Sequence, residues 1–153
     1  MGGKENLGDA LQSAAEASKI GDNYALAFGR IKGESNMAMA HRALGNARDA
    51  LDHSEKAVKI LENSGQTDVQ EEEILFNHSL VLRDNKKLDE ANNYLKRAYD
   101  KMMIKADKIK DSATREVFLT RVNINCNINS AWKEQSGSVE VLGQNSLQPF
   151  STL

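Results

Sequence analysis

The chain contains few of the residues that interrupt helices or build disulfide-bonded and aromatic-rich folds. It has one proline and one cysteine among 153 residues, and aromatic residues make up 5% of the sequence. A single cysteine, Cys126, excludes an internal disulfide framework and is compatible with a reducing compartment. The scarcity of proline and aromatic residues, with abundant alanine, leucine, lysine and glutamate, favours helices over a sandwich or barrel.

Long apolar runs and a strong excess of one charge are also missing. No run of about 18 apolar residues occurs, and the start of the chain has no apolar core of the kind that a signal peptide needs. The net charge of -2 gives no reason to expect nucleic acid as a partner. We therefore expect a cytoplasmic protein with neither membrane nor nucleic-acid partners.

Motifs for catalysis, metal binding or cofactor binding are absent from the sequence. His41, His53 and His78 form no spaced cluster with cysteine or acidic residues, and no phosphate loop or nucleophile elbow is present. The adjacent acids Glu71–Glu73 are expected in the first turn of a helix, where the positive end of the helix dipole favours carboxylates. The sequence predicts that the protein is not an enzyme and holds no metal or cofactor.

An internal repeat organises the chain. The segment GNARDALDHSEKA, which begins at Gly45, recurs as KKLDEANNYLKRA, which begins at Lys86. Each copy has a leading alanine, Ala50 or Ala91, and a second alanine two helical turns later. A weaker copy at Ala10 places the leading alanines 40 and 41 residues apart. A period of this size is typical of stacked repeats.

These motifs resemble the tetratricopeptide repeat (TPR), a family in which two antiparallel helices pack through small residues. The resemblance implies that each alanine pair lies where the second helix of a hairpin most closely approaches the first. The usual TPR period is about 34 residues, so the longer period here implies longer helices and loops. Other residues replace the tryptophan, glycine and tyrosine usual in the first helix of each repeat: Leu75, Ser79 and Leu82 in one, and Glu34, Ala38 and His41 in the other.

The predicted fold is all-α, with antiparallel helix hairpins stacked into a TPR-like α-solenoid and an irregular C-terminal tail. About six helices are expected, over residues 6–20, 23–44, 46–62, 70–85, 87–108 and 112–134. They are predicted to form one repeat domain over residues 1–135, followed by a tail or linker over residues 136–153. The turn-forming run Asn63–Asp68 is expected to separate two hairpins of that domain.

Residues 105–132 carry a second resemblance, to the end of TPR arrays in large bacterial signalling ATPases and transcription regulators. The matching residues, in the same order, are Ala106, Ile109, Asp111, Arg115, Phe118, Leu119, Val122 and Trp132. Two positions depart from that pattern, since Asn123 replaces a proline and Cys126 a basic residue. The resemblance implies a bacterial signalling context, and Trp132 is expected to cover the last hairpin rather than to stack on a ligand.

The first predicted helix is expected to lack a partner helix. In the TPR register its apolar stripe, which includes Leu7, Leu11 and Ala14, would be covered by a helix that precedes residue 1. We therefore expect this stripe to be buried against flanking sequence or by formation of a homo-oligomer.

The TPR resemblance implies a protein-interaction module that receives a peptide or partner domain in the concave groove formed by the first helices of the repeats. The alternative is a sensory or regulatory segment of a larger bacterial signalling ATPase, cyclase or transcription regulator, which binds a small ligand or its parent chain. A third reading is self-association alone. The residues expected in the groove are Ser35, Met39, Arg42, Phe76, Leu80 and Arg83. Two arginines beside apolar side chains suit an acidic, partly apolar peptide.

Overall fold

The computed structural model describes residues 3–65 and 70–145, and side chains are described for residues 16, 20, 23, 25–65 and 70–137. The described residues form six α-helices and no strand. These helices are α1 (Gly3–Ala43), α2 (Ala47–Asn63), α3 (Glu71–Asp84), α4 (Leu88–Asp107), α5 (Ser112–Arg121) and α6 (Asn123–Asn145). The prediction of an all-α chain with about six helices is confirmed.

The first and last predicted helices differ from those in the structure. The segments 6–20 and 23–44 form one continuous helix, α1, because an internal glycine such as Gly21 weakens a helix by only about 1 kcal/mol and need not end it. The predicted helix 112–134 is two helices, α5 and α6, divided at Val122, whose backbone is extended. Because α6 continues to Asn145, residues 136–145 are helical, whereas the sequence predicts that an irregular tail begins there.

The chain divides into two compact units, Met1–Gln70 and Glu71–Leu153. The first unit contains α1 and α2, and the second contains α3 to α6. The grouping of both hairpins into one repeat domain stays a prediction. The proposed partner of the stripe at Leu7, Leu11 and Ala14 also stays a prediction, since those side chains lie outside the described ones.

In the first unit, α1 and α2 form a hairpin around Gly45. This residue has a φ of 78°, in the left-handed region that favours glycine. Its N–H donates to the carbonyl of Arg42 at 3.0 Å, and the N–H of Asn46 donates to the carbonyl of His41 at 2.9 Å. This double hydrogen bond is the Schellman arrangement, which ends α1 and reverses the chain. The buried apolar residues of the hairpin are Ile31, Ala38, Ala50, Ala57, Val58 and Leu61.

The second unit contains a similar hairpin, formed by α3 and α4 around Lys86. Its α4 helix buries an apolar stripe with helical spacing: Ala91, Leu95, Ala98, Met102 and Ala106. On another part of α4, the ring of Tyr99 stacks on Trp132 of α6, with centroids 5.0 Å apart and 19° between the planes. Trp132 therefore covers part of α4, in agreement with its predicted covering role.

Candidate functional site

The predicted groove residues of the first unit lie at the C-terminal end of α1. Ser35 is only 2% exposed, whereas Met39 and Arg42 are half-buried. Ser35 therefore offers almost no surface to a partner, and its role is in the packing of the hairpin. Met39 and Arg42 retain accessible surface, and the Arg42 carbonyl is one of the acceptors in the turn at Gly45.

The corresponding residues of the second unit lie at the C-terminal end of α3. Phe76 is 6% exposed, Leu80 is half-buried and Arg83 is exposed. The Arg83 guanidinium contacts the side-chain oxygen of Asn92 on α4, with 3.5 Å between Nη2 and Oδ1. As with Arg42, the Arg83 carbonyl accepts a hydrogen bond from the left-handed residue of the turn, here Lys86. The two arginines thus hold equivalent positions in their hairpins, and each belongs to a different unit.

A pair of histidines joins α1 to α2 on another side of the first hairpin. The rings of His41 and His53 stack with centroids 5.3 Å apart and 10° between the planes. His53 Nδ1 lies 2.7 Å from Glu34 Oε2, and His41 Nδ1 lies 3.8 Å from Asp49 Oδ2. The sequence predicts packed or surface imidazoles, and both histidines are half-buried and in contact with carboxylates.

Next to this pair, α1 and α2 form a groove that the sequence pattern does not predict. Its volume is about 430 Å³. The described residues that line it are Arg30, Glu34, Lys56, Lys59, Ile60, Asn63 and Ser64, and we call it the cationic groove. A second groove, also of about 430 Å³, is lined by Ile20, Asn23, Ala27 and Ser64, and we call it the apolar groove. Both grooves include Ser64, at the C-terminal end of α2.

An aromatic cluster lies between α3 and α4 in the second unit. The buried ring of His78 meets Tyr94 edge to face, with centroids 4.5 Å apart. The guanidinium carbon of Arg97 lies 4.6 Å from the centre of the Tyr94 ring, within range of a cation–π interaction. These contacts place His78 inside the hairpin as a packed residue.

The described part of the chain offers no group of three or more His, Cys, Asp and Glu residues that could hold a metal ion. Within the same residues, no helix combines the length and the apolar character needed to cross a membrane.

Residues 30–102 match a family model described as tetratricopeptide repeat. This segment contains the C-terminal part of α1, all of α2 and α3, and most of α4, and so includes both hairpin turns. The match supports a TPR-like helical array, of a kind that generally serves in protein–protein interaction. No curated protein and no solved structure was found to match the chain.

Proposed function

We propose, from the match of residues 30–102 to a tetratricopeptide-repeat model, that the chain is a protein-interaction module that binds a peptide or a partner domain. The observation that carries this proposal is the match of residues 30–102, which include both hairpin turns, to a repeat whose arrays bind partners on extended surfaces. The absence of a catalytic motif from the sequence is consistent with a role in binding.

The equivalent positions of Arg42 and Arg83 support a contact surface on each unit, at the C-terminal end of α1 in the first unit and at that of α3 in the second. Each arginine follows a half-buried apolar residue three positions earlier, Met39 or Leu80. A guanidinium can form paired, charge-assisted hydrogen bonds with a carboxylate, while the neighbouring side chain supplies apolar area. This combination suits an acidic, partly apolar peptide.

The proposal is tested with peptides selected from a displayed random library against the purified chain. The affinity of a selected peptide is measured by fluorescence anisotropy for the wild type and for the double variant R42Q/R83Q. We expect the double variant to bind about tenfold more weakly, with a smaller dependence on salt, because two charge-assisted contacts are lost.

The matched control is R48Q/R121Q, which removes the same charge from two exposed arginines elsewhere in the chain. It should bind like the wild type, and both double variants should melt like the wild type. Equal affinity for R42Q/R83Q and the wild type would remove Arg42 and Arg83 from the interface. Failure to select any peptide would argue against peptide binding altogether.

The second candidate is a sensory or regulatory segment of a larger bacterial signalling protein. It is supported by the resemblance at residues 105–132, which lies outside the matched residues 30–102, and by the stacking of Trp132 on Tyr99. A thermal-shift screen with small metabolites separates the two candidates. A small molecule that raises the melting temperature, together with an empty peptide selection, would favour the regulatory segment.

A further inference from the structure

We propose that the cationic groove and the apolar groove together form a docking site for an acidic, partly apolar peptide segment of a partner protein. This site is additional to the surface at Arg42 and Arg83. Arg30 and Arg42 project about 120° apart around α1, since successive residues of an α-helix are separated by about 100°. The new site is therefore on a different side of the helix and can be tested by itself.

The charge of the cationic groove favours an anionic occupant. Arg30, Lys56 and Lys59 are exposed, and within the described part of the chain none of them forms an ion pair or hydrogen bond. The one acid that lines the groove is Glu34, and its carboxylate already accepts a hydrogen bond from His53 at 2.7 Å. Three positive groups and one negative group leave a lining charge of +2. Carboxylates of a partner would form ion pairs with these cations.

The apolar groove explains why the occupant should also carry an apolar side chain. It adjoins the cationic groove at Ser64 and is lined by Ile20 and Ala27 of α1. Ile20 is 55% exposed. Full burial of an isoleucine side chain is favourable by about 2 kcal/mol, so a partner that covers Ile20 would gain binding free energy. A peptide that placed an apolar side chain against Ile20 and carboxylates against the lysines would use both grooves.

The dimensions of the site favour a peptide over a small anion. The lining residues of the cationic groove extend along α2 from Lys56 to Ser64, a distance of about 12 Å at 1.5 Å per residue. Those of the apolar groove extend along α1 from Ile20 to Ala27, a distance of about 10 Å. A phosphate ion spans only a small part of this length, whereas a short extended peptide covers it at about 3.3 Å per residue.

The experiment uses the full chain and a fluorescein-labelled hexapeptide, acetyl-Leu-Leu-Glu-Asp-Glu-Glu, at low ionic strength. The test variant R30Q/K56Q/K59Q removes the three cations of the groove. Its matched control, K108Q/K110Q/R121Q, removes the same charge from three exposed residues of the second unit. We expect the test variant to bind about tenfold more weakly than the wild type and the control to bind within about twofold of it, because rim charges each contribute modestly.

A second variant makes the proposal independent of any loss of folding. Glu34→Gln removes the negative charge from the groove, while its amide oxygen can still accept the hydrogen bond from His53. This variant should bind the acidic peptide about twofold to threefold more tightly, whereas a purely structural role for Glu34 would weaken binding or leave it unchanged. Circular dichroism melting confirms that each variant is folded.

Two further probes test the nature of the occupant. A peptide in which glutamine and asparagine replace the acids should not bind, and one in which serine replaces both leucines should bind more weakly.

Unchanged binding of the hexapeptide to R30Q/K56Q/K59Q would overturn the proposal. Two other results would overturn the proposal. In one, inorganic phosphate at millimolar concentration displaces the labelled hexapeptide as well as unlabelled hexapeptide does. In the other, the protein binds vesicles of anionic lipid more tightly than it binds the hexapeptide. R42Q/R83Q separates this site from the surface at Arg42 and Arg83. Binding of the hexapeptide that is weakened in R30Q/K56Q/K59Q and kept in R42Q/R83Q assigns the peptide to the two grooves, whereas the reverse pattern assigns it to Arg42 and Arg83 and overturns the proposal.

Discussion

Gly45 and Lys86 occupy the same left-handed position in the two hairpin turns, with φ angles of 78° and 63°. In both turns the next residue donates its N–H to a carbonyl five positions earlier, at 2.9 Å from Asn46 and 3.0 Å from Lys87. The two positions are 41 residues apart, which is the period of the repeat. Lys86 thus adopts a conformation that glycine adopts without strain and that a residue with a Cβ adopts at a cost.

This equivalence predicts stability changes of opposite sign at the two turns. Lys86→Gly should raise the free energy of unfolding by about 1 kcal/mol because it relieves left-handed strain, and Gly45→Ala should lower it by about the same amount. Nothing lies within 4 Å of a Cβ added at Gly45, so only the backbone contributes to that loss. Urea denaturation provides the measurement. Gly29→Ala, inside α1, is the control and should be stabilising; destabilisation by Lys86→Gly would refute the equivalence.

The leading alanines of the repeat should tolerate large side chains poorly. Ala50 and Ala91 are each 1% exposed, so leucine at either position must displace the neighbouring helix. Each substitution should cost about 1 to 3 kcal/mol of stability, measured by thermal or urea unfolding. Ala40→Leu and Ala113→Leu, at exposed helical positions, are the controls and should change stability little. Unchanged melting of the double variant A50L/A91L would show that the alanines do not mark close helix contacts.

The ion pair between Lys105 on α4 and Glu72 on α3 should stabilise the second hairpin. The Lys105 ammonium donates to both Glu72 carboxylate oxygens, at 2.8 and 2.7 Å. The Glu72 side chain is 4% exposed and that of Lys105 is 43% exposed. Lys105→Met leaves a buried carboxylate without its counterion, and it should cost about 2 kcal/mol once the exposure of the lysine is taken into account.

A neighbouring ion pair supplies the control for this prediction. Lys101 lies 2.6 Å from Glu71 between the same two helices, but that carboxylate is more exposed than Glu72. Lys101→Met should therefore cost under about 1 kcal/mol by urea denaturation. Glu72→Gln should recover part of the stability lost in Lys105→Met, because it removes the unpaired charge. Equal losses for the two lysine variants would contradict this account.

The N-cap of α5 predicts a loss of stability in acid. The Thr114 hydroxyl and then the Thr114 backbone N–H donate to the Asp111 carboxylate, and both bonds lower the pKa of Asp111 below its ordinary value of 3.8. Because the folded pKa is the lower one, the stabilisation is complete above the ordinary value and is lost as the pH falls through the folded pKa. The stability difference between wild type and Asp111→Asn should be constant from pH 7 to about pH 5 and shrink below about pH 4. A difference that grows in acid would contradict this sign.

The sequence predicts those features that depend on periodicity within one helix. Ala50 and Ala91 are buried as expected, because their spacing from the second alanines sets one face of each helix. The sequence does not predict the burial of Ser35 and Phe76, since the pattern along a helix does not show how much surface the neighbouring helices leave accessible. The same pattern does not predict that Gly21 lies within α1. A glycine in a helix interior is less favourable than an alanine by only about 1 kcal/mol, so its presence does not decide whether the helix ends.

The cationic groove depends on the way in which two helices align, so the pattern along the sequence does not predict it. Arg30 and Lys59 are 29 residues apart and come together only because the chain reverses at Gly45. A signal was present, since an antiparallel hairpin about that turn would set Glu34 near His53, in agreement with their 2.7 Å contact. The individual charges resemble those of an ordinary solvated helix face, so composition alone does not distinguish the groove.

The length of α1 has a consequence for amide hydrogen exchange. At 1.5 Å per residue, its 41 residues span about 60 Å, whereas the 17 residues of α2 span about 25 Å. Ile31 and Ala38 have no exposed surface, but Ile20, Leu26 and Phe28 are between 44% and 63% exposed. The amides near Ile20 to Phe28 should therefore open locally and exchange faster than those between Ile31 and Ala38. A partner that covers this stretch would slow its exchange, so part of the binding free energy would be spent on ordering the helix.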